Sequence, residues 1–152
     1  MKLCCTFLVA ALAVVSAQIP NLSGTWNLNV EKSSWGKKTV PQGVVVKVEH
    51  NEPRLKYTGA TTAVNGDQSV YDLDTTMDAT AHPVKTSYGS GQVIAKRVNP
   101  YTVSTEFRSD DGKFTETATM ILSHDGNTMT RRMHTKGPDG EASWTEVYNK
   151  SK

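Results

Sequence analysis

Hydrophobic and polar residues alternate along most of the chain with the period of two that is typical of β-strands. In residues 22–30, Leu22, Trp26, Leu28 and Val30 fall on one face and polar residues fall on the other. Similar patterns predict strands at 43–50, 54–59, 70–74, 91–98, 101–108, 113–122, 128–136 and 142–149. No segment of useful length has a helical period, so the pattern predicts an all-β fold.

Asp-Gly pairs divide the last third of the chain at a regular interval. They occur at Asp111-Gly112, Asp125-Gly126 and Asp139-Gly140, and each follows the previous pair by fourteen residues. A strand of about eight to ten residues with a short turn has this length, so the spacing predicts an antiparallel meander. About 8–10 strands in up-and-down order predict one β-barrel, and a two-sheet sandwich is the alternative.

Two segments lack a clear strand pattern. Residues 31–42 contain Gly36 and Pro41 and are expected to form a loop with at most one helical turn. No defined element is predicted for residues 75–90. The only local indication of backbone conformation there is His82-Pro83, because the residue before a proline favours an extended backbone.

The N-terminus has the features of an export signal. Lys2 precedes an apolar run over 3–15, and Val15-Ser16-Ala17 forms a small-x-small cleavage pattern before Gln18. The sequence therefore predicts a signal peptide at 1–17 and one domain at 18–152, exported to the periplasm or the extracellular space. No second apolar stretch is long enough to cross a hydrocarbon core of roughly 30 Å, so no membrane span is expected.

The positions of the cysteines and the net charge limit the chemistry of the domain and its possible partners. Both cysteines, Cys4 and Cys5, lie in the predicted signal peptide, so the domain is expected to have no disulfides and no thiol chemistry. This favours a bacterial protein, since small secreted eukaryotic domains more often carry disulfides. The formal net charge is +2 and the basic residues are dispersed, which argues against a nucleic-acid-binding surface.

Two short motifs carry a family resemblance. Gly24-Thr25-Trp26 resembles the opening of lipocalins and fatty-acid-binding proteins, and Thr145-Glu146-Val147-Tyr148 resembles the last strand of the latter. The stretch 22–36 and the turns at 123–130 and 137–140 are similar to a set of uncharacterised lipocalin-like secreted proteins of soil bacteria. The resemblance covers most of the domain and implies a barrel that binds a small apolar molecule.

The chain departs from fatty-acid-binding proteins at two places. Those proteins hold the lipid carboxylate with an arginine two positions before the tyrosine of the last strand, where this chain has Glu146. They also carry a helical lid between the first two strands, where this chain has only the loop at 31–42. The usual mode of fatty-acid binding is therefore not expected.

The alternation of inward and outward residues along the strands predicts a set of ligand-binding residues inside the barrel. The aromatic candidates for the wall are Trp26, Tyr57, Tyr71, Trp144 and Tyr148, and the polar candidates are Arg131 and Glu146. Trp26 has a second interpretation, as a plug that closes the barrel floor. In proteins that resemble this one, the tryptophan usually closes the barrel, which favours the second interpretation.

Arg131 and Glu146 are predicted to face each other. If Pro138-Asp139 forms the turn between their strands, both residues lie equally far from its centre. Buried opposite charges must satisfy each other, because an unpaired interior charge costs several kcal/mol. The pair is either an anchor for a ligand head group or a structural ion pair.

The sequence shows no catalytic or metal-binding motif. His50, His82, His124 and His134 are scattered and lack partners at ligand spacing, so each is expected at the surface. No nucleophile motif is present, and no cofactor is expected.

Two functions remain open. The first is an exported non-catalytic barrel that binds a small, moderately apolar ligand in its interior. The second is a structural or protein-interaction domain with a filled core. An interior cavity of about 300 Å³ or more favours the first, and a packed interior favours the second.

Overall fold

Ten strands form one antiparallel sheet in the computed structural model, which describes residues 19–152. The predicted signal peptide at 1–17 lies outside the described residues. The strands are β1 (Gly24–Leu28), β2 (Gly43–Asn51), β3 (Arg54–Thr62), β4 (Gln68–Thr76), β5 (Ala81–Thr86), β6 (Gly89–Asn99), β7 (Thr102–Ser109), β8 (Thr115–Leu122), β9 (Thr128–Gly137) and β10 (Gly140–Lys150). Their order in the sheet is β4-β3-β2-β1-β10-β9-β8-β7-β6-β5, which confirms the predicted up-and-down barrel rather than a sandwich.

The sheet curls almost into a closed barrel, with a gap between β4 and β5. These two edge strands are not hydrogen-bonded to each other, yet their Cα atoms come within 8 Å. Strand β5 lies in the segment 75–90, for which the sequence predicted no element. Its Pro83 lacks an N–H, and an edge strand tolerates proline because one side of its backbone is unpaired.

The predicted Asp-Gly turns are present. Gly112, Gly126 and Gly140 have positive φ angles of 70°, 71° and 104°, a backbone conformation that glycine adopts without the steric cost of a Cβ atom. Turns of this kind let each strand reverse beside its neighbour within a few residues, so the C-terminal strands form the predicted meander.

The two ends of the barrel differ, and we name them by the turns that they carry. The closed end holds the start of β1 and the β2–β3, β4–β5, β6–β7 and β8–β9 turns. There Trp26 is fully buried, and its Nε1 donates to the carbonyl of Leu22 at 3.1 Å. The mouth is the opposite end, with the β1–β2 loop and the other four turns.

The β1–β2 loop, residues 29–42, crosses the mouth and is called the strap. It contains no helix, and β1 ends earlier than predicted. Val30 is 37% exposed rather than inward-facing, because the chain turns where Ser33 N donates to the Val30 carbonyl at 3.2 Å. Ser34 then pairs with Thr145 of β10 through two backbone hydrogen bonds of 2.8 and 2.7 Å, which fixes the strap to the barrel wall.

Candidate functional site

A buried ion pair lies between the two ends of the barrel. Arg131 on β9 stands directly opposite Glu146 on β10, in the register predicted from the Pro138-Asp139 turn. Both side chains are about nine-tenths buried, and Arg131 Nη1 donates to Glu146 Oε2 at 3.0 Å. Their inward orientation follows from strand alternation, since Met133 and Trp144 occupy the next inward positions toward the mouth.

Three aromatic residues complete the hydrogen bonding of this pair. Tyr148 Oη donates to Glu146 Oε2 at 2.8 Å, and Trp144 Nε1 donates to Glu146 Oε1 at 2.8 Å. Arg131 Nη1 also donates to Tyr57 Oη, and its guanidinium lies 4.6 Å from the centre of the Tyr57 ring. Both oxygens of Glu146 are therefore occupied. By contrast, Arg131 Nε is buried and has no partner among the described residues.

The protonation states follow from burial and from the neighbouring charges. Burial raises the pKa of Tyr57 to about 12 and also raises the pKa of Tyr148, so both phenols remain neutral donors or acceptors. Burial opposes the charge of Arg131, but Tyr57 and Glu146 raise its pKa above the ordinary value. Arg131 is thus a permanent cation, held by Glu146.

A second buried carboxylate, Glu116, lies on β8. It is 6% exposed and sits two inward positions closer to the mouth than Met120, which faces Arg131 across the strands. Its carboxylate forms no ion pair within 4 Å in the described part of the chain. Burial raises the pKa of Glu116, while Arg131 acts in the opposite direction. Glu116 was not among the predicted site residues, although its alternation with Ala118 and Met120 on β8 was a usable signal.

Two small cavities adjoin the polar side chains. The inner cavity has a volume of about 100 Å³ and is lined by Val44, Tyr57, Gly59, Thr61, Tyr71, Tyr88, Glu116, Arg131, Met133, Trp144, Glu146 and Tyr148. The mouth cavity has a volume of about 250 Å³ and lies under the strap. Both are lined in part by Val44, Thr61, Tyr88, Trp144 and Glu146, so they meet at these residues.

Most of the predicted ligand-binding residues meet at the inner cavity. Those that line it are Tyr57, Tyr71, Arg131, Trp144, Glu146 and Tyr148. Trp26 lines neither cavity and instead fills the closed end, as the plug interpretation of this residue predicted.

An aromatic wall continues from the inner cavity to the barrel rim. The ring centres of Tyr57 and Tyr71 are 6.2 Å apart, those of Tyr71 and Tyr88 are 6.0 Å apart, and Tyr88 stacks on Phe114 at 4.6 Å. Tyr88 is 45% exposed, and its partial burial raises the pKa of its phenol to about 12. Tyr88 lies in the β5–β6 turn, and it was not among the predicted site residues because no element was predicted for 75–90.

The strap covers the mouth with two side chains. Trp35 packs against the cluster of Ala118, Met133 and Trp144, and its buried Nε1 has no partner in residues 19–152. Lys38 places its Nζ 4.1 Å from the centre of the Trp144 ring, a cation–π arrangement. The strap therefore supplies an apolar cover and a positive charge above the cavities.

Among the four histidines, His50 differs from the prediction. It is 7% exposed at the closed end rather than on the surface, because the segment before β1 covers it: the Leu22 N–H donates to His50 Nδ1 at 3.2 Å. His82 contacts Asp78 at 2.9 Å next to the β4–β5 turn, at the closed end. Within residues 19–152, no group of three or more histidine, cysteine or acidic side chains is placed to hold a metal ion.

Comparisons with known proteins identify the fold. No family model and no curated protein sequence matches the chain. Zebrafish ileal bile acid-binding protein, solved with cholic acid, matches with a TM-score of 0.58 and 13% identity, over 86% of this chain and 98% of its own. As-p18, an extracellular fatty acid binding protein, matches with a TM-score of 0.59 and 14% identity, over 89% of this chain and 100% of its own.

A third solved structure, Rv2717c from M. tuberculosis, matches with a TM-score of 0.52 and 14% identity, over 86% of this chain and 93% of its own. The chain therefore has the barrel fold of the fatty-acid- and bile-acid-binding proteins, which confirms the resemblance drawn from its short motifs. A search of residues 19–152 for apolar helices of membrane-spanning length finds none.

Proposed function

We propose that the domain is a non-catalytic barrel that binds one small amphipathic ligand. The polar part of the ligand enters the inner cavity, against the polar cluster formed by Arg131, Glu146, Glu116, Tyr57 and Tyr148. The apolar part lies in the mouth cavity, against Trp144 and the aromatic wall.

The observation that carries this proposal is the buried ion pair at the inner cavity. Apolar residues in place of a buried Arg–Glu pair are often neutral or stabilising, so a pair of this kind is weak evidence for a purely structural role. Arg131 also keeps a buried Nε without a partner, a costly arrangement in an apolar core. A bound ligand would explain both the buried ion pair and the unpartnered Nε, because its polar part could contact these groups in the cavity. Two of the fold neighbours are named as a bile acid-binding and a fatty acid binding protein, and the first was solved with cholic acid.

The competing function is a structural or protein-interaction domain with a filled core. The inner cavity supports it, because about 100 Å³ is well below the roughly 300 Å³ at which ordinary ligand pockets begin. The mouth cavity of about 250 Å³ offsets this, since a ligand can occupy both spaces.

Ligand-dependent stability separates the two functions. The probes are octylamine, 1-octanol and octanoate, which share a chain length and differ in head group, and the measurement is thermal unfolding with increasing probe. A binding barrel gains about 2.7 kcal/mol at a probe concentration of 100 Kd, whereas a filled domain gains nothing. The double variant Arg131→Met/Glu146→Leu should fold and lose this response.

The matched control for that variant lies on the same hairpin. Lys136 and Glu141 pair across β9 and β10 at 3.0 Å on the outer surface, so Lys136→Met/Glu141→Leu removes an equivalent pair away from the cavity. This control should keep the full response to the probe. A response that survives in the first variant, or disappears in the control, contradicts binding at the polar cluster.

We also propose that the domain is exported after cleavage behind Ala17, from the Val15-Ser16-Ala17 pattern. The intact mass of the exported protein should correspond to a chain that begins at Gln18. Retention of Met1 in a membrane fraction would contradict export.

A further inference from the structure

The polar cluster contains more acidic than basic groups. Glu116, Glu146 and Arg131 all line the inner cavity, so one carboxylate there has no basic partner. Arg131 is committed to Glu146, whose oxygens already accept from Arg131, Trp144 and Tyr148. The carboxylate of Glu116 is thus the one left over, buried and facing the cavity.

The protein's own Lys38 shows which charge this site attracts. Its Nζ lies over the Trp144 ring at 4.1 Å, and its charge acts on the pKa of Glu116 in the lowering direction. A cation near an aromatic face and a buried carboxylate is stabilised by both. Lys38 is an exposed residue of the strap, so a ligand can displace it at little cost to the fold.

The surrounding side chains suit an ammonium group. Trp144, Tyr71 and Tyr88 present aromatic rings to the cavities, and rings of this kind are the usual surroundings of a bound ammonium cation. An anionic head group would instead meet the carboxylate of Glu116, which forms no ion pair with a basic side chain in residues 19–152. The inner cavity of about 100 Å³ accommodates a head group of only a few atoms.

We infer that the ligand is a small organic cation, an alkylammonium or a similar amine, held against Glu116 and the face of Trp144 where Lys38 now lies. This inference rests on the proposed function and specifies its ligand class. The head group lies where the two cavities meet at Trp144, displaces the Lys38 ammonium there and faces Glu116 in the inner cavity. The alkyl part extends through the mouth cavity beneath Trp35.

The test compares octylamine, 1-octanol and octanoate by isothermal titration calorimetry at neutral pH. Octylammonium should bind at least tenfold more tightly than octanoate. The formal net charge of the chain is +2, so a preference for the cation cannot come from overall attraction. Glu116→Gln should remove most of the preference for octylammonium over octanoate. Glu106→Gln removes the same charge from the outer face of β7 and should change nothing.

Substitution of Lys38 provides a second, independent test that leaves the buried residues of the site unchanged. Lys38→Met removes the competing ammonium and should strengthen octylammonium binding several-fold, whereas Lys37→Met, the neighbouring strap residue, should have no effect. The far-ultraviolet circular dichroism and thermal midpoint of each variant without probe establish that it is folded.

The outcomes separate this inference from the proposed function. If octanol or octanoate binds and octylammonium binds no better, the ligand class is wrong while the binding barrel stands. If the preference for octylammonium persists in Glu116→Gln, the assigned site is wrong. If none of the three probes binds or raises the unfolding temperature, both proposals fail.

Discussion

The two ends of the barrel are built from the same strands and yet differ in chemistry. At the closed end, the inward residues of β1, β3 and β9 include Trp26, Leu55 and Met129, which are fully buried and apolar. Toward the mouth, β8 and β10 place Glu116 and Glu146 inward. One half of a strand can therefore provide the stability while the other half tolerates buried charge and cavities.

The largest expected effect tests whether the stability resides at the closed end. Trp26→Ala should lower the free energy of unfolding by about 3–5 kcal/mol, because it removes a fully buried indole and its hydrogen bond to Leu22. Trp35→Ala at the mouth should cost only about 1 kcal/mol, because Trp35 is partly buried and its Nε1 has no partner. Urea denaturation of both variants measures the difference, and equal losses would remove the distinction between the ends.

The second effect tests the ion pair between the two ends. Arg131→Met alone should cost about 3 kcal/mol or more, because it leaves Glu146 buried without a cation. Adding Glu146→Leu should recover part of that loss, so that the double variant costs at least about 1 kcal/mol less than the sum of the singles. A double-mutant cycle from chemical denaturation measures this coupling. Additivity within about 0.5 kcal/mol would show that the residues do not interact.

A third, smaller effect should be the same at both ends. Gly112 lies in a turn at the mouth and Gly126 in a turn at the closed end, with φ angles of 70° and 71° and open space where a Cβ would lie. Valine at either position should cost about 1 kcal/mol or more through backbone strain alone. Denaturation midpoints of the two variants test this. Unequal losses would indicate that the cost of a turn depends on the core beneath it.

The smallest effect is a change with pH that only the mouth should show. The pKa of Glu116 is raised by burial, so the folded state binds its proton more tightly than the unfolded state, whose carboxyl titrates near 4.5. Stability from this residue is therefore present below that value and is lost as the pH rises through the folded pKa. Glu116→Gln should be more stable than the parent protein at neutral pH.

The advantage of Glu116→Gln should shrink as the pH falls from neutral through the raised folded pKa of Glu116, and it should be gone below about 4.5. Urea denaturation of both proteins across this range gives the difference, from which the other titrating groups cancel. A difference that does not change with pH would show that Glu116 has the same proton affinity in both states.

Much of the barrel could be predicted because its determinants are local. Strand alternation and turn residues depend on neighbours in sequence, which is why the Pro138-Asp139 turn gave the correct register for Arg131 and Glu146. Strand β5 was missed for the same reason. Its Pro83 argues locally against a strand, and only its position at the sheet edge makes it acceptable.

The features that could not be predicted depend on contacts between distant parts of the chain. The burial of His50 requires Leu22, 28 residues earlier, to cover it. The position of Lys38 over Trp144 requires the strap to bridge to β10. Cavity volumes depend on how completely the side chains of all ten strands fill the interior, which no local pattern encodes.

The gap between β4 and β5 has a consequence for solubility. A free strand edge is a template for another chain, and proteins that expose one risk aggregation. Here the two free edges face each other, Pro83 removes a backbone donor from one of them, and the rings of Tyr71 and Tyr88 meet 6.0 Å apart. Because each edge lies beside the other, we expect them to offer few free backbone groups to a second chain, although the hydrogen-bonded ring is incomplete.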